Sequence, residues 1–174
     1  LCCLLLTSTA GVANAASSST GLSSLDILQQ FNLVVLGSST SKANVEGRSY
    51  IGGALNGGTY ATKLTSGPSS FAGLTVQGSA SNIQVQNQGA VIAGSLSNST
   101  INNGSTAVLG SSSYSSYNGQ GSTYIAGAVA GGNINQTPIK SLSENSVLQS
   151  QVTTAQTTST STLKTSLNTL SQQL

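Results

Sequence analysis

Few side chains of this chain could act as acids, bases or nucleophiles. The 174 residues contain no His, two Cys and three carboxylates, which are Asp26, Glu46 and Glu144. Without an imidazole, Ser-His-Asp and Cys-His triads are excluded, and so are His-ligated metal sites. A glycosidase can work with two carboxylates, but they must flank one bond at about 5–9.5 Å. The three carboxylates fall in separate predicted elements, so we predict no catalytic residue, no metal site and no cofactor.

Tyrosine and asparagine side chains could bind rather than react. A phenol can stack on a sugar ring and hydrogen-bond at its rim, although packing between strands is the favoured interpretation of the five tyrosines. Tyr114 and Tyr117 lie in the Ser- and Gly-rich stretch 111–121, which makes them the best candidates for exposure and for ligand binding. Asn98 and Asn103 each begin an Asn-x-Ser/Thr sequence, so they are the predicted glycosylation sites in a eukaryotic source.

The chain is unusually poor in charge. Charged residues make up 5% of it, against about 25% in an ordinary soluble domain. The net charge of +2 is scattered, without the basic cluster that would neutralise successive phosphates, so nucleic acid is not a predicted partner. A composition rich in Ser, Thr, Asn and Gly fits either a disordered stalk or a repetitive β structure. Val, Ile and Leu return in short groups throughout, which favours the ordered alternative.

The first 15 residues read as a secretory signal peptide. An apolar run is followed by the small-residue sequence Ala-Asn-Ala, which predicts cleavage between Ala15 and Ala16 and a secreted, extracellular protein. The run is too short to span a bilayer. Cleavage would remove both cysteines and leave a polar lead-in over 16–21. Since no Met precedes Leu1, we expect the sequence to begin inside the signal peptide of a longer product.

A repeat runs through the middle of the chain. An aliphatic residue, any residue and Gly recur, and Gly78, Gly94 and Gly110 lie 16 residues apart. A polar residue followed by Ile also recurs, at 82–83, 100–101 and 133–134. Repeats of this length predict a β-solenoid (parallel β-helix) with rungs over about 31–136. We expect Gly and Asn at its corners, with positive φ. Phosphate-binding loops are the rejected alternative, because no Walker or dinucleotide-binding motif occurs.

Helical patterns flank the repeat. Apolar residues at helical spacing over 22–31 predict a short helix, followed by a buried strand at 33–36. After Pro138, Leu and Val fall three or four residues apart, which predicts one long amphipathic helix over about 139–174, packed along a flank of the solenoid. A gap at Ser159 and a Thr-rich stretch favour an interruption there. We therefore predict one mainly β domain over 22–174, with the remainder beyond Leu174.

Three segments resemble the opening of the choice-of-anchor A domain, an adhesin module of secreted and surface proteins. Residues 31–37 run from an aromatic residue and Asn through four aliphatic residues to Gly, 44–48 contain an acidic residue and Gly-Arg, and 50–53 end in a Gly pair. The resemblance covers about 25–63 and implies a β-solenoid with a helix along its side and no catalytic residues. Ser38 departs from the acidic residue that is common there, and the strands expected after the helix are absent.

The leading function is an extracellular adhesin-like or structural module. It would bind a cell-surface or matrix component, including a glycan, through neutral polar solenoid faces. Ice binding is the first alternative, because ordered water could dock on regularly spaced Thr, Ser and Asn. The positions equivalent to Thr75 are Val91 and Ala107, however, so no Thr ladder persists along that repeat. A polysaccharide-acting hydrolase is the least favoured function.

Overall fold

The computed structural model of this chain describes residues 22–63 and 69–172. These residues form a β-solenoid of about six turns with helices packed on it, so the predicted fold class is confirmed. The predicted signal peptide, its cleavage site between Ala15 and Ala16, and the lead-in 16–21 lie outside the described residues.

The elements are short and follow one another closely. The helices are α1 (Ser24–Gln30), the 3₁₀ helix η1 (Leu142–Glu144), α2 (Ser146–Thr157) and α3 (Thr160–Ser171). The strands are β1 (Leu33–Val35), β2 (Ser39–Thr40), β3 (Ser49–Ile51), β4 (Leu55–Asn56), β5 (Thr59–Tyr60), β6 (Leu74–Val76), β7 (Ala80–Ser81), β8 (Gln84–Val85), β9 (Ala90–Ile92), β10 (Leu96–Ser97), β11 (Thr100–Ile101), β12 (Thr106–Val108), β13 (Ser112–Tyr117), β14 (Ser122–Ile125), β15 (Val129–Ile134) and β16 (Thr137–Pro138).

Each turn of the solenoid contributes strand segments to three faces, and all strand pairs are parallel. The covered face consists of β1, β3, β6, β9, β12, β14 and β16. The serine face consists of β2, β4, β7, β10 and the first residues of β13 and β15. The amide face consists of β5, β8, β11 and the last residues of β13 and β15.

The predicted 16-residue rung is confirmed by the strand register. Leu74 pairs with Ala90, and Ala90 pairs with Thr106. The second rung is longer, because Ser49 pairs with Leu74, 25 residues further on. The recurring polar-Ile pair is not one structural position, since Ile101 pairs with Val85 rather than with Ile83.

Stacked aliphatic and aromatic side chains fill the interior of the solenoid. Side chains alternate between the two sides of a strand, so each two- or three-residue strand places at least one of them inside. Successive rungs then align these side chains in ladders at about 4.8 Å. Ladders from all three faces meet in one core. They include Ile51, Val76, Ile92 and Val108 from the covered face, Leu55, Ala80 and Leu96 from the serine face, and Tyr60, Val85, Ile101 and Tyr117 from the amide face.

The corners are of two kinds, which corrects part of the prediction. At the corner before the serine face, the repeated glycines do not have positive φ; they are required because neighbouring rungs approach closely. A Cβ on Gly94 would lie 2.6 Å from the backbone nitrogen of Ser79. Positive φ occurs at the other two corners, as predicted. Between the amide and covered faces Gly104 has φ 92°, and Asn adopts positive φ at the corner between the serine and amide faces. There Asn82 has φ 55° and Asn98 has φ 48°.

Two helices, rather than the single predicted helix, close the covered face. Leu148, Val152 and Ala155 of α2 pack against Val91 and Ala107. The helical region is interrupted at Thr158 and Ser159, between α2 and α3, which is where the sequence predicts an interruption.

Side chains of the solenoid donate hydrogen bonds to carbonyl oxygens at this interruption. The last carbonyls of a helix lack partners within it and need other donors. Tyr50 Oη donates to the Thr158 carbonyl oxygen (3.1 Å), and Gln77 Nε2 donates to the carbonyl oxygen of Ala155 (2.5 Å). The predicted flanking helix is thus correct in place, and it is divided into two helices at the predicted interruption.

Helix α1 and an aromatic cluster cover the first rungs of the covered face. Phe31 makes edge contacts with Phe71 (4.8 Å between ring centroids) and Tyr50 (6.1 Å). Ile27 of α1 and Leu163 of α3 pack against these rings. The predicted short helix and the strand after it are therefore both present, although β1 is half-buried rather than buried.

The last rung is open. β15 is exposed along all six residues, and among the described residues it pairs with β13 alone. No helix in the described part of the chain is long and apolar enough to cross a membrane.

Candidate functional site

Two of the three solenoid faces are accessible. The helices bury the outward side of the covered face, whose strands β3, β6, β9 and β12 are buried at every residue. None of the described helices packs on the serine or amide face, and the outward residues of these faces are exposed or half-exposed. A partner can therefore reach these two faces and the corner between them.

The serine face presents a two-dimensional array of small hydroxyl groups. One outward ladder runs through the residue that follows each corner glycine, and the second runs two residues further along each strand. The first ladder is Ser38, Ala54, Ser79, Ser95, Ser111 and Ala128; the second is Thr40, Asn56, Ser81, Ser97, Ser113 and Ala130. Neighbouring rungs lie about 4.8 Å apart and alternate residues of a strand about 6.6 Å apart. The array is flat and regular because the rungs stack in register.

Hydrogen bonds between rungs fix the first ladder. Ser79 Oγ accepts from the backbone N–H of Ser95 (3.1 Å), and Ser95 Oγ accepts from that of Ser111 (3.2 Å). Ser111 Oγ accepts from the N–H of Ala128 (3.2 Å). Each hydroxyl can still donate its own proton and has a second lone pair. The oxygens are thus held in place while retaining the capacity to bind a partner.

A sequence signal for this array exists but escaped the prediction. Ser follows the corner glycine at Gly37, Gly78, Gly94 and Gly110, and the last three of these pairs lie 16 residues apart. The prediction rests on the aliphatic and glycine positions of the repeat and does not include the serine that follows them.

The amide face ends in a ladder of side-chain amides. Asn102 Nδ2 donates to Gln86 Oε1 (2.8 Å), and Asn118 Nδ2 donates to Asn102 Oδ1 (3.4 Å). Asn135 Nδ2 donates to Asn118 Oδ1 (2.9 Å). These amides bind one another from rung to rung, so their first role is to stabilise the turn.

The two predicted tyrosines have opposite environments. Tyr114 is 71% exposed, whereas Tyr117 is 1% exposed and its Oη lies 2.7 Å from Ser112 Oγ inside the solenoid. Burial raises the pKa of the Tyr117 phenol, and the hydrogen bond to Ser112 offsets part of that rise. The exposure predicted for Tyr117 is therefore wrong, since its side chain belongs to the core. Asn98 and Asn103 are both exposed, and their glycosylation stays a prediction.

The Thr75 ladder lies on the covered face. The register confirms that Thr75, Val91 and Ala107 are equivalent positions. All three are buried, and Val91 and Ala107 lie beneath α2. The loss of Thr along this ladder therefore carries no information about the exposed faces, and it does not count against ice binding.

The three carboxylates lie on separate elements. Asp26 caps α1, where hydrogen bonds from the side chain and backbone of Ser23 lower the pKa of its carboxyl group. Glu46 forms an exposed ion pair with Lys63 (2.7 Å). Glu144 accepts backbone N–H groups at the start of η1. In the part of the chain that the structure describes, no three potential metal ligands cluster.

The chain is a stacked β-solenoid with one face covered by helices and a neutral array of hydroxyl groups on another. Residues 24–174 match the family model described as "Putative Ice-binding-like adhesive domain", and the chain belongs to this family. This family is consistent with the predicted adhesin-like module, and the resemblance to the choice-of-anchor A domain stays a prediction. Searches of curated proteins and of solved structures gave no match.

Proposed function

We propose that this protein is an extracellular, non-catalytic adhesin-like module that binds a surface component or glycan through its serine face. The observation that carries the proposal is the outward array of Ser, Thr and Asn, fixed in register and left uncovered. Membership of an adhesive domain family supports it. The predicted signal peptide supports the extracellular location, and the resemblance to the choice-of-anchor A domain suggests carriage on a surface protein.

The composition of the array suits adhesion to a hydroxylated or hydrated surface. Side-chain ordering costs free energy on association, and it costs least for short side chains such as Ser. A neutral array also avoids the desolvation of charges. Many weak, simultaneous hydrogen bonds on a rigid face therefore add up, whereas the same groups on a mobile loop would lose much of that gain to ordering.

A single bulky charge in the centre of the array tests the proposal. Ser97→Arg places a long cation on the flat face, while Ser150→Arg makes the same change on an exposed position of α2. We expect Ser97→Arg to lower adsorption of the purified protein to its target at least tenfold and Ser150→Arg to leave it unchanged. Targets to be screened are insoluble polysaccharides and whole-cell surfaces. Equal adsorption by both folded variants would contradict a role for the serine face.

Ice is the second candidate partner, and a specific observation favours it. The hydroxyl array is periodic in two directions, as a face that binds ordered water must be, and the family description refers to ice binding. Thermal hysteresis and ice-growth arrest measure this function directly. Arrest of ice growth that is lost in Ser97→Arg would place ice above glycans as the partner of the serine face.

A further inference from the structure

A groove runs along the corner between the serine and amide faces. Its volume is about 710 Å³, and it extends from the first rung, at Thr40, to the fourth rung, at Asn98 and Thr100. It follows the solenoid axis, because residues that line it occupy equivalent positions on successive rungs. The groove adjoins the flat serine array and shares Thr40 and Asn56 with its second ladder.

Amides and hydroxyls line this groove. Asn56, Asn82 and Asn98 contribute amides, and Thr59 and Thr100 contribute hydroxyls from the amide face. Asn82 Nδ2 donates to Asn56 Oδ1 (2.8 Å), so these two amides are held in a fixed orientation. Each amide and each hydroxyl can both donate and accept, which is the pattern that sugar hydroxyls require.

An exposed aromatic side chain stands at the next rung of the same corner. Tyr114 is equivalent to Asn82 and Asn98, and its backbone has φ 49°. A left-handed conformation is uncommon for a bulky residue, and the neighbouring corner positions are Asn or Gly, which adopt it more readily. One edge of the Tyr114 ring lies against Gly131, and the side chain is otherwise largely exposed. Nothing in the core requires an aromatic residue there.

We propose that this corner groove binds a single neutral, linear glycan chain aligned with the solenoid axis, with Tyr114 stacking on a sugar ring at one end. The inference rests on the proposed adhesive function and names its ligand class. A glycan fits because, among the described residues, no carboxylate lines the groove and the one cationic residue that does, Lys42, lies at the first rung. An extended peptide fits less well, because strand backbone groups are already bonded between rungs and Ile83, the aliphatic residue in the lining, is buried.

Two variants test the groove without disturbing the corner. Tyr114→Asn installs the residue found on the two preceding rungs, and Asn98→Gly installs the residue found at Gly57 and Gly131, so both keep the left-handed backbone. Tyr114→Phe is the matched control, since it keeps the ring. Production in bacterial cells avoids glycosylation of Asn98, which would cover the groove.

Isothermal titration with soluble hexasaccharides of β-1,4-linked glucose, N-acetylglucosamine, mannose and xylose is the measurement. We expect one of them to bind, with affinity about tenfold weaker in Tyr114→Asn and in Asn98→Gly and within threefold of the parent in Tyr114→Phe. Circular dichroism and thermal melting check that the variants fold.

The possible results separate the groove from the adhesive function. Oligosaccharide binding that both folded variants retain overturns the groove, and so does the absence of binding by a protein that still adsorbs to a polysaccharide surface. Either result leaves the serine face as the adhesive site. Saturable binding of unstructured peptides in place of glycans overturns the ligand class. A parent protein that neither adsorbs to any surface nor binds a hexasaccharide contradicts both proposals.

Discussion

The covered face and the serine face use the same rung for opposite purposes. Each strand of both faces has an inward side that builds the core and an outward side that faces away from it. On the covered face the outward positions hold Tyr50, Thr75, Val91 and Ala107, and the helices bury them. On the serine face they hold Asn56, Ser81, Ser97 and Ser113, and no helix of the described part of the chain packs on them. The backbone repeat is the same, so the outward side chain decides which face becomes core and which remains a contact surface.

This division separates stability from binding. Burial of apolar surface stabilises a protein by about 25 cal/mol per Å², and outside the solenoid interior that burial occurs under α2 and α3. Short hydroxyl side chains at an exposed array contribute little to folding. A face that contributes little to stability can vary without unfolding the protein, which is a useful property in a surface that must match a partner. Substitutions on the two faces should therefore differ sharply in their effect on unfolding.

The largest effect is expected where α2 meets the covered face. Leu148 is 0% exposed, whereas the adjacent Val147 is 65% exposed on the same helix. Leu148→Ala leaves a cavity against Val91 and Ala107 and should lower the free energy of unfolding by about 3 kcal/mol. Val147→Ala should change it by less than about 0.5 kcal/mol. Urea unfolding followed by circular dichroism measures both. Equal, small losses would mean that the helices are not a necessary part of the fold.

An intermediate effect is expected at the corner that leads from the covered face into the serine face. A Cβ on Gly94 would lie 2.5–2.8 Å from atoms of Ser79 and Gly78 on the preceding rung. Gly94→Ala forces the rungs apart and should lower the free energy of unfolding by about 1–3 kcal/mol.

Gly37 is the matched control for this corner. It occupies the equivalent position on the first rung, where a Cβ would meet nothing within 4 Å. Gly37→Ala should be neutral or stabilise by about 0.5 kcal/mol, because Ala has less freedom in the unfolded chain. A Gly94→Ala variant as stable as Gly37→Ala, in the same urea experiment, would show that stacking at the corner is looser than the structure indicates.

The features that the sequence predicted well are those in which local chemistry and the fold demand the same residue. The 16-residue period could be found because only Gly fits between rungs at positions such as Gly78 and Gly94. The helical region after Pro138 could be found because its apolar stripe has a helical period. Its break near Ser159 coincides with a weakness in that stripe, although the donors that hold it, Tyr50 and Gln77, are more than 80 residues away from it in sequence.

The features that could not be predicted depend on which elements meet. Strands of two or three residues are too short for a pattern that separates a covered outward position from an exposed one. The sequence therefore suggests that the ladder through Thr75 is exposed, whereas Thr75 is buried on the covered face. Tyr117 looked like part of an exposed Ser-rich stretch, yet the ladder to which it belongs, with Val85 and Ile101, points inward. In both cases the composition of the surrounding sequence suggests an exposed side chain, whereas the register of the rung shows that the side chain is buried.

The smallest effect is expected in the serine array itself. Ser95→Ala removes the oxygen that accepts from the N–H of Ser111 (3.2 Å). Such a bond contributes about 0.5–1.5 kcal/mol when buried, but water can replace it here because Ser95 is exposed. Ala54 and Ala128 already occupy equivalent places on other rungs. We therefore expect a loss below about 0.5 kcal/mol in urea unfolding. A loss comparable to that of Leu148→Ala would mean that the ladder stabilises the fold. This result would contradict the interpretation of the serine face as a surface for binding rather than for stability.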